Sequence, residues 1–198
     1  MAARAVALLL LASPSALGAV AKDEITALPG WAGPLPSRHY SGFVPLDGGR
    51  NVHYWFVESE HDPATDPVVL WVSAPAPSPF PPPTRAHPRA QVQGGPGGSS
   101  LEGMFTEMGP FTLDLDSTSN SSAGGVPRLF KNPHAWTSIA SMIFWEAPAG
   151  VGFSYCSSGH CPAWNDTSTA IDNANFLCEF FAMYPEYAGR DFFLTGES

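Results

Sequence analysis

The sequence predicts an α/β fold, and three observations predict it. Short apolar runs recur along the chain, at Asp66–Val72, Ser138–Pro148 and Arg190–Gly196. Stretches of helical periodicity separate them, and Gly- or Pro-rich turns mark the joins. Strands alternating with helices imply a mixed, largely parallel sheet. A hydrophobic content of 44% with 12% aromatics supplies a core and sets the chain apart from disordered sequences. A length of 198 residues suits one domain.

The elements follow in order. Residues 1–21 carry a basic Arg4, the apolar run Ala5–Ala12, a Ser13–Pro14–Ser15 break and then Ala19-x-Ala21. These are the parts of a secretory signal peptide, and the run is too short to span a bilayer. The mature domain is therefore expected over 22–198. "HYSGFVPL" and "NVHYWFVES" read as two strands joined by the turn Asp47–Arg50, "DGGR", whose glycines permit the backbone angles of a hairpin. "DPVVLWV" is a continuous, β-branched apolar run and reads as a fully buried strand.

The composition then breaks. Ser73–Arg89 holds seven prolines in seventeen residues, which excludes helix and central strand. "GGPGGSS" (Gly94–Ser100) leads into a short helical pattern, "SSLEGMFTEMG". Ser119–Gly125 reads as a loop, "SIASMIFWEAP" as a strand, and Thr169–Tyr184 as a helix opened by Thr169-x-x-Asp172. "RDFFLTG" reads as a last, buried strand. No internal repeat is present.

Charge narrows the partners. A net charge of -9 with nine Lys plus Arg repels phosphate backbones and anionic lipid, which argues against nucleic-acid and peripheral-membrane partners. Two sequons, at Asn120 and Asn165, agree with a secreted, glycosylated protein. Cys156 and Cys161 bracket a four-residue loop and could close a disulfide in an oxidising compartment. A metal site with His160 as third ligand is the rival, but it lacks a fourth ligand and standard spacing, so no metal and no cofactor is expected. Cys178 shares helical spacing with Ile171, Ala174 and Phe181 and reads as a buried core thiol.

Two short motifs point to chemistry. The chain ends helix, strand, then Gly196-Glu197-Ser198. In a nucleophile elbow of the G-x-S-x-G type, small residues flank the serine because the strand-to-helix turn is strained and crowded, and the strain lifts the hydroxyl above the sheet. Only the first three positions are present. In "GGPGGSS", Gly94, Gly95 and Gly97 let the backbone approach a ligand, and amides near a helix start can hold a developing oxyanion. From the residues alone, an oxyanion loop and an ordinary Gly/Pro turn are equally open. The phosphate-cradling alternative lacks its lysine motif.

The blocks "YSGFVPL…NVHYWFVESE…DPVVLW", "GGPGGSSLEGMFTEMGPF", "NPHAWTSIASMIFWEAPAGVGFSY" and "YPEYAGRDFFLTGES" together resemble the serine carboxypeptidases, in the right order and over nearly all of the mature chain. The resemblance implies an α/β-hydrolase fold and release of C-terminal residues from peptides and proteins, with best activity at acid pH, in the extracellular space, a vacuole or a lysosome. It implies Ser198 as nucleophile and the Gly94 amide as one oxyanion donor, the other being the amide after the serine. Glu107, Glu197 and Gly95 match the substrate-binding positions, the two acids facing the substrate's terminal carboxylate. Carboxyl groups crowded around an anion cannot all ionise, which favours work at low pH. Without the resemblance, Glu107 reads as a solvated helix-face charge.

Three departures stand out. The family's "LWLNGGPG" is interrupted here: Trp71-Val72 is separated from Gln93-Gly94 by a proline-rich insertion at about 72–93, and Gln93 replaces the family's Asn. A retained intron or a gene-model error explains this, with a genuine proline-rich recognition segment as the rival. The family's Cys after GGPG is Gly98 here. The acid and base of the fold follow the nucleophile, and all six histidines of this chain precede Ser198. The chain is therefore expected to be the N-terminal portion of an enzyme and inactive alone, with an exposed apolar edge. An acyltransferase on the same scaffold and a non-catalytic secreted glycoprotein remain as alternatives.

Overall fold

The computed structural model describes residues 20–73, 97–113 and 126–197. Nearly all of the predicted signal peptide, most of the proline-rich insertion, Gly94, Gly95, Asn120 and the Ser119–Gly125 loop, and Ser198 lie outside the described residues.

The first half of the sheet is built locally. β1 (Glu24–Ile25), β2 (His39–Leu46) and β3 (Arg50–Val57) pair antiparallel. The predicted turn is a short 3-10 turn at Asp47–Gly49. Gly48 and Gly49 have φ of 72° and 75°, a region that a Cβ penalises. Along β2, Tyr40, Val44 and Leu46 point inward while Phe43 points out, the period of a half-covered strand.

β4 (Val68–Ser73), β7 (Ser141–Trp145) and β9 (Phe192–Glu197) form the other half. The order is β1-β2-β3-β7-β4-β9, with β8 (Tyr155–Cys156) paired to β3. β7, β4 and β9 run parallel, and β3 meets β7 antiparallel. The sheet is thus mixed, as expected, but not largely parallel. Hairpins with tight turns add antiparallel neighbours cheaply, whereas each parallel pair needs a long crossover. β5 (Phe111–Leu113) and β6 (Leu129–Lys131) form a separate two-stranded ribbon.

Helices lie on both faces of the sheet. α1 (Ser100–Thr106) sets Leu101 and Met104 against Val69, Trp71, Met142 and Phe144. α2 (Asp166–Met183) sets Phe176 and Phe180 against Tyr54, Phe56, Leu70 and Trp145. Burying a ring of this size contributes about 2–3 kcal/mol. β4 is buried through Val68–Trp71, as its apolar run predicts.

Several expectations are corrected. α2 begins at Asp166, not Thr169. Asn165 caps it: its side chain accepts from the Ser168 N–H at 2.9 Å, and Ser168 Oγ accepts from the Asn165 N–H at 2.9 Å. Thr169 and Asp172 are instead buried inside the helix, and Asp172 pairs with Arg50 Nη2 at 2.9 Å. Burial pushes the Asp172 carboxyl up, and Arg50 pulls it back only in part. The sheet-facing stripe of α2 is Thr169, Asp172, Phe176 and Phe180, so Cys178 is exposed, as is Ile171 at 55%. A polar capping signal and a buried ion pair disguised the stripe. β9 is likewise not buried. It lies at the sheet edge, with Phe193 53% and Leu194 67% exposed. The apolar run at Ser138–Pro148 is strand only over Ser141–Trp145, preceded by a 3-10 turn at Trp136–Ser138.

Candidate active site

Open α/β sheets present ligands at the carboxyl ends of their parallel strands. Here those ends stand side by side: Ser73 of β4 is in register with Glu197 of β9, and β7 ends at Trp145 next to Glu146. The glycine-rich stretch follows β4 in sequence, and Ser198 follows Glu197.

Gly196 shows why this strand end takes so small a residue. A Cβ there would lie 2.2 Å from the Val72 carbonyl oxygen and 3.0 Å from Val72 Cγ1. Any side chain would push β9 off β4, just before the serine. The crowding expected of a nucleophile elbow is therefore present on the strand side of Ser198.

α1 starts at the same end. Ser99 is its N-cap and accepts from the Leu101 N–H at 3.3 Å. Gly97, just before, has a φ of 91°. Glu107 ends α1, its N–H donating to the Gly103 carbonyl at 3.0 Å. Its own carbonyl accepts from Asn132 Nδ2 at 2.7 Å, and Asn132 also donates to the Gly109 carbonyl. Glu107 is thus held by its backbone with its side chain exposed, ~12 Å along the helix from Ser99. Glu197 is half-buried at the end of β9. The two predicted carboxylate-binding acids therefore sit on different elements, one at a helix C-terminus and one at a strand end.

The remaining predicted sites are plain. Cys156 and Cys161 form a disulfide with Cα atoms 5.2 Å apart, which consumes both thiols and removes the metal reading with His160. Among the described residues, no group of His, Cys, Asp and Glu could hold a metal ion, and no helix is long and apolar enough to cross a membrane. Asn165 is exposed; its Oδ1 caps α2, and its amide nitrogen is the atom a glycan would take.

One polar cluster was not foreseen. Glu146 is 1% exposed and His53 5%. Ser99 Oγ donates to Glu146 Oε1, and the Phe153 N–H donates to Oε2 at 2.8 Å. His53 Nδ1 stands 3.1 Å from Oε2, at ion-pair distance rather than in a well-aligned hydrogen bond. His53 Nε2 lies 2.8 Å from Ser41 Oγ. Burial alone would push the Glu146 carboxyl up; the contacts with His53, Ser99 and Phe153 outweigh it and hold the group below the usual carboxylate value. Ser41, His53 and Glu146 have the residue types of a hydrolytic triad, but Ser41 sits mid-strand with its N–H donating to the Asp23 carbonyl at 2.8 Å. That backbone is locked into the sheet and is not an elbow. The signal for the cluster was visible in "MIFWEAPAG", where an acid closes an apolar strand.

A mixed sheet with helices on both faces and three parallel strands ending together define an α/β protein, with the crowded Gly196 at one of those ends. The family model for serine carboxypeptidase matches residues 29–74 and 92–198. The chain belongs to the serine carboxypeptidase family. It is 40% identical over 176 residues to serine carboxypeptidase-like 20 of Arabidopsis thaliana. It is 41% identical over 177 residues to serine carboxypeptidase 1 of Hordeum vulgare, and equally to the lysosomal protective protein of Mus musculus. These alignments cover 88–89% of this chain and 31% of each relative.

Proposed function

We propose that this chain is part of a serine-type carboxypeptidase of the secretory pathway, working in an acidic extracellular, vacuolar or lysosomal setting. The observation that carries the reading is Gly196-Glu197, packed against β4 where three parallel strands end and followed in sequence by Ser198, in a chain of this family. Ser198 attacks the last peptide carbonyl, and its proton passes to a base. The Gly94 amide holds the oxyanion. The C-terminal residue leaves as the amine, and water then releases the acyl group from Ser198. Gly95, Glu107 and Glu197 bind the substrate's terminal carboxylate. The acid and base of the triad belong to the rest of the protein.

The reading is tested on the full-length protein with a fluorophosphonate, which phosphonylates only an activated serine. Peptide mapping is expected to find the adduct on Ser198. An adduct on a different serine, Ser41 included, contradicts the assignment.

A further inference from the structure

Asn165 stands where a sugar can be added without disturbing the fold. Asn165-Asp166-Thr167 is an N-x-[ST] acceptor, and all three residues are exposed. Asn165 is also the N-cap of α2, which settles how its amide is used. Oδ1 accepts from the Ser168 N–H at 2.9 Å. That bond commits the oxygen to the helix and leaves the amide nitrogen, on the other side of Cγ, outside the cap. Modification of the nitrogen therefore leaves the cap intact.

Beside the acceptor lies a cavity with unmet polar groups. Its volume is about 40 Å³, and Arg50, Trp164, Ser168 and Asp172 are among its walls. That is room for roughly two or three waters or one small polar arm, not for a sugar ring. Asp172 is 6% exposed, and its Oδ1 stands 2.9 Å from Arg50 Nη2, at ion-pair distance without a well-aligned hydrogen bond. Arg50 Nε is buried and has no hydrogen-bond partner among the described residues. One donor and one acceptor are thus buried and short of partners, a state that costs free energy until something meets them. Trp164, the residue before Asn165, is 40% exposed.

We propose that Asn165 carries an N-linked glycan whose first N-acetylhexosamine rests on Trp164 and sends its acetamido arm into the cavity of Arg50 and Asp172. The inference rests on the secretory-pathway part of the proposed function and not on its hydrolytic part. In the transfer, Asn165 Nδ2 bonds to the anomeric carbon of a lipid-pyrophosphate-linked oligosaccharide. The bond from that carbon to the phosphate oxygen breaks, and one amide proton leaves with the released pyrophosphate. The first sugar then lies one residue from the indole, whose flat apolar face suits the C–H face of a pyranose. Its acetamido group offers a carbonyl to Arg50 Nε and an N–H to the Asp172 carboxylate, the partners those atoms lack.

The test uses the full-length protein from a eukaryotic host that makes high-mannose glycans. Peptide N-glycosidase in heavy-oxygen water should label the Asn165 peptide. Thr167→Ala, which leaves the cap untouched, should abolish the label. The seat is read by amide hydrogen exchange over residues 161–169. Endoglycosidase trimming leaves the first sugar and should leave exchange unchanged. Complete removal converts the asparagine to aspartate, an equally good cap, and should speed exchange about threefold to tenfold. Trp164→Ala should speed exchange of the glycosylated protein by a similar factor and make it indifferent to removal of the sugar. An unlabelled Asn165 in a protein glycosylated at another sequon overturns the inference. Equal exchange in the trimmed and stripped proteins, or an indifferent Trp164→Ala, overturns it too. If Trp164→Ala does not fold, the trimmed and stripped wild type decide alone. A protein that stays in the cytosol without any glycan sinks the secretory reading itself. A secreted, hydrolytically active protein with Asn165 unmodified sinks only the glycan.

Discussion

His39 shows how a single buried side chain ties the fold to pH. It is fully buried on β2, stacked on Phe111, and its Nδ1 accepts from Trp55 Nε1 at 3.2 Å. Burial, with the nearby Lys131 charge adding to it, pushes the imidazole down to about 4. The folded state therefore holds the neutral ring, while the unfolded chain protonates near 6.5. The stability from this group is complete above about pH 6.5 and is lost as pH falls toward 4, amounting to about 3 kcal/mol. His39→Gln, which can still accept from Trp55, should lose less stability than wild type between pH 7.5 and 4.5, measured by urea midpoints. Equal losses in the two proteins would show that His39 is not the titrating group. Residue identity revealed part of this scale. Gly48, Gly49 and Gly196 announce tight backbone by being glycine. His39, His53 and Glu146 announce nothing, because a polar residue in an apolar run looks the same whether it faces solvent or a buried partner.

At the scale of elements, strands were more legible than helix faces. Continuous apolar runs marked β4 and β7, and "DGGR" marked the β2–β3 hairpin. The α2 stripe was misread because its buried face includes Thr169 and Asp172, the second held by Arg50 from another element. No local pattern reports a partner over a hundred positions away. The burial of β9 was misread for a related reason: an apolar run states what a strand can cover, not whether anything covers it. The connection from β4 to α1 is the other anomaly. The family match stops at residue 74 and resumes at 92. We propose that this segment is a retained intron or gene-model error, since a strand and its oxyanion loop work best when joined directly. Sequencing cDNA across Val72–Gln93 should recover the uninterrupted motif. Finding the segment in mature message and protein makes it a real insertion and refutes the proposal.

For the whole molecule, architecture and family could be read from the sequence, and the assembled site only in part. Four motif blocks in order carried the family, and the fold gathers parts of them: β4, α1, β7 and β9 bring "LWV", Ser99, Glu146 and Gly196-Glu197 to one end. The chain spans 31% of the length of the relatives it matches. The account turns on Ser198. The measurement that tests it most directly is release of C-terminal residues from a peptide at about pH 5 by the full-length protein, wild type against Ser198→Ala. Loss of at least about a thousandfold in kcat with the fold intact is the predicted result, in line with removal of a hydrolytic nucleophile. Undiminished release by the Ser198→Ala protein would contradict the account.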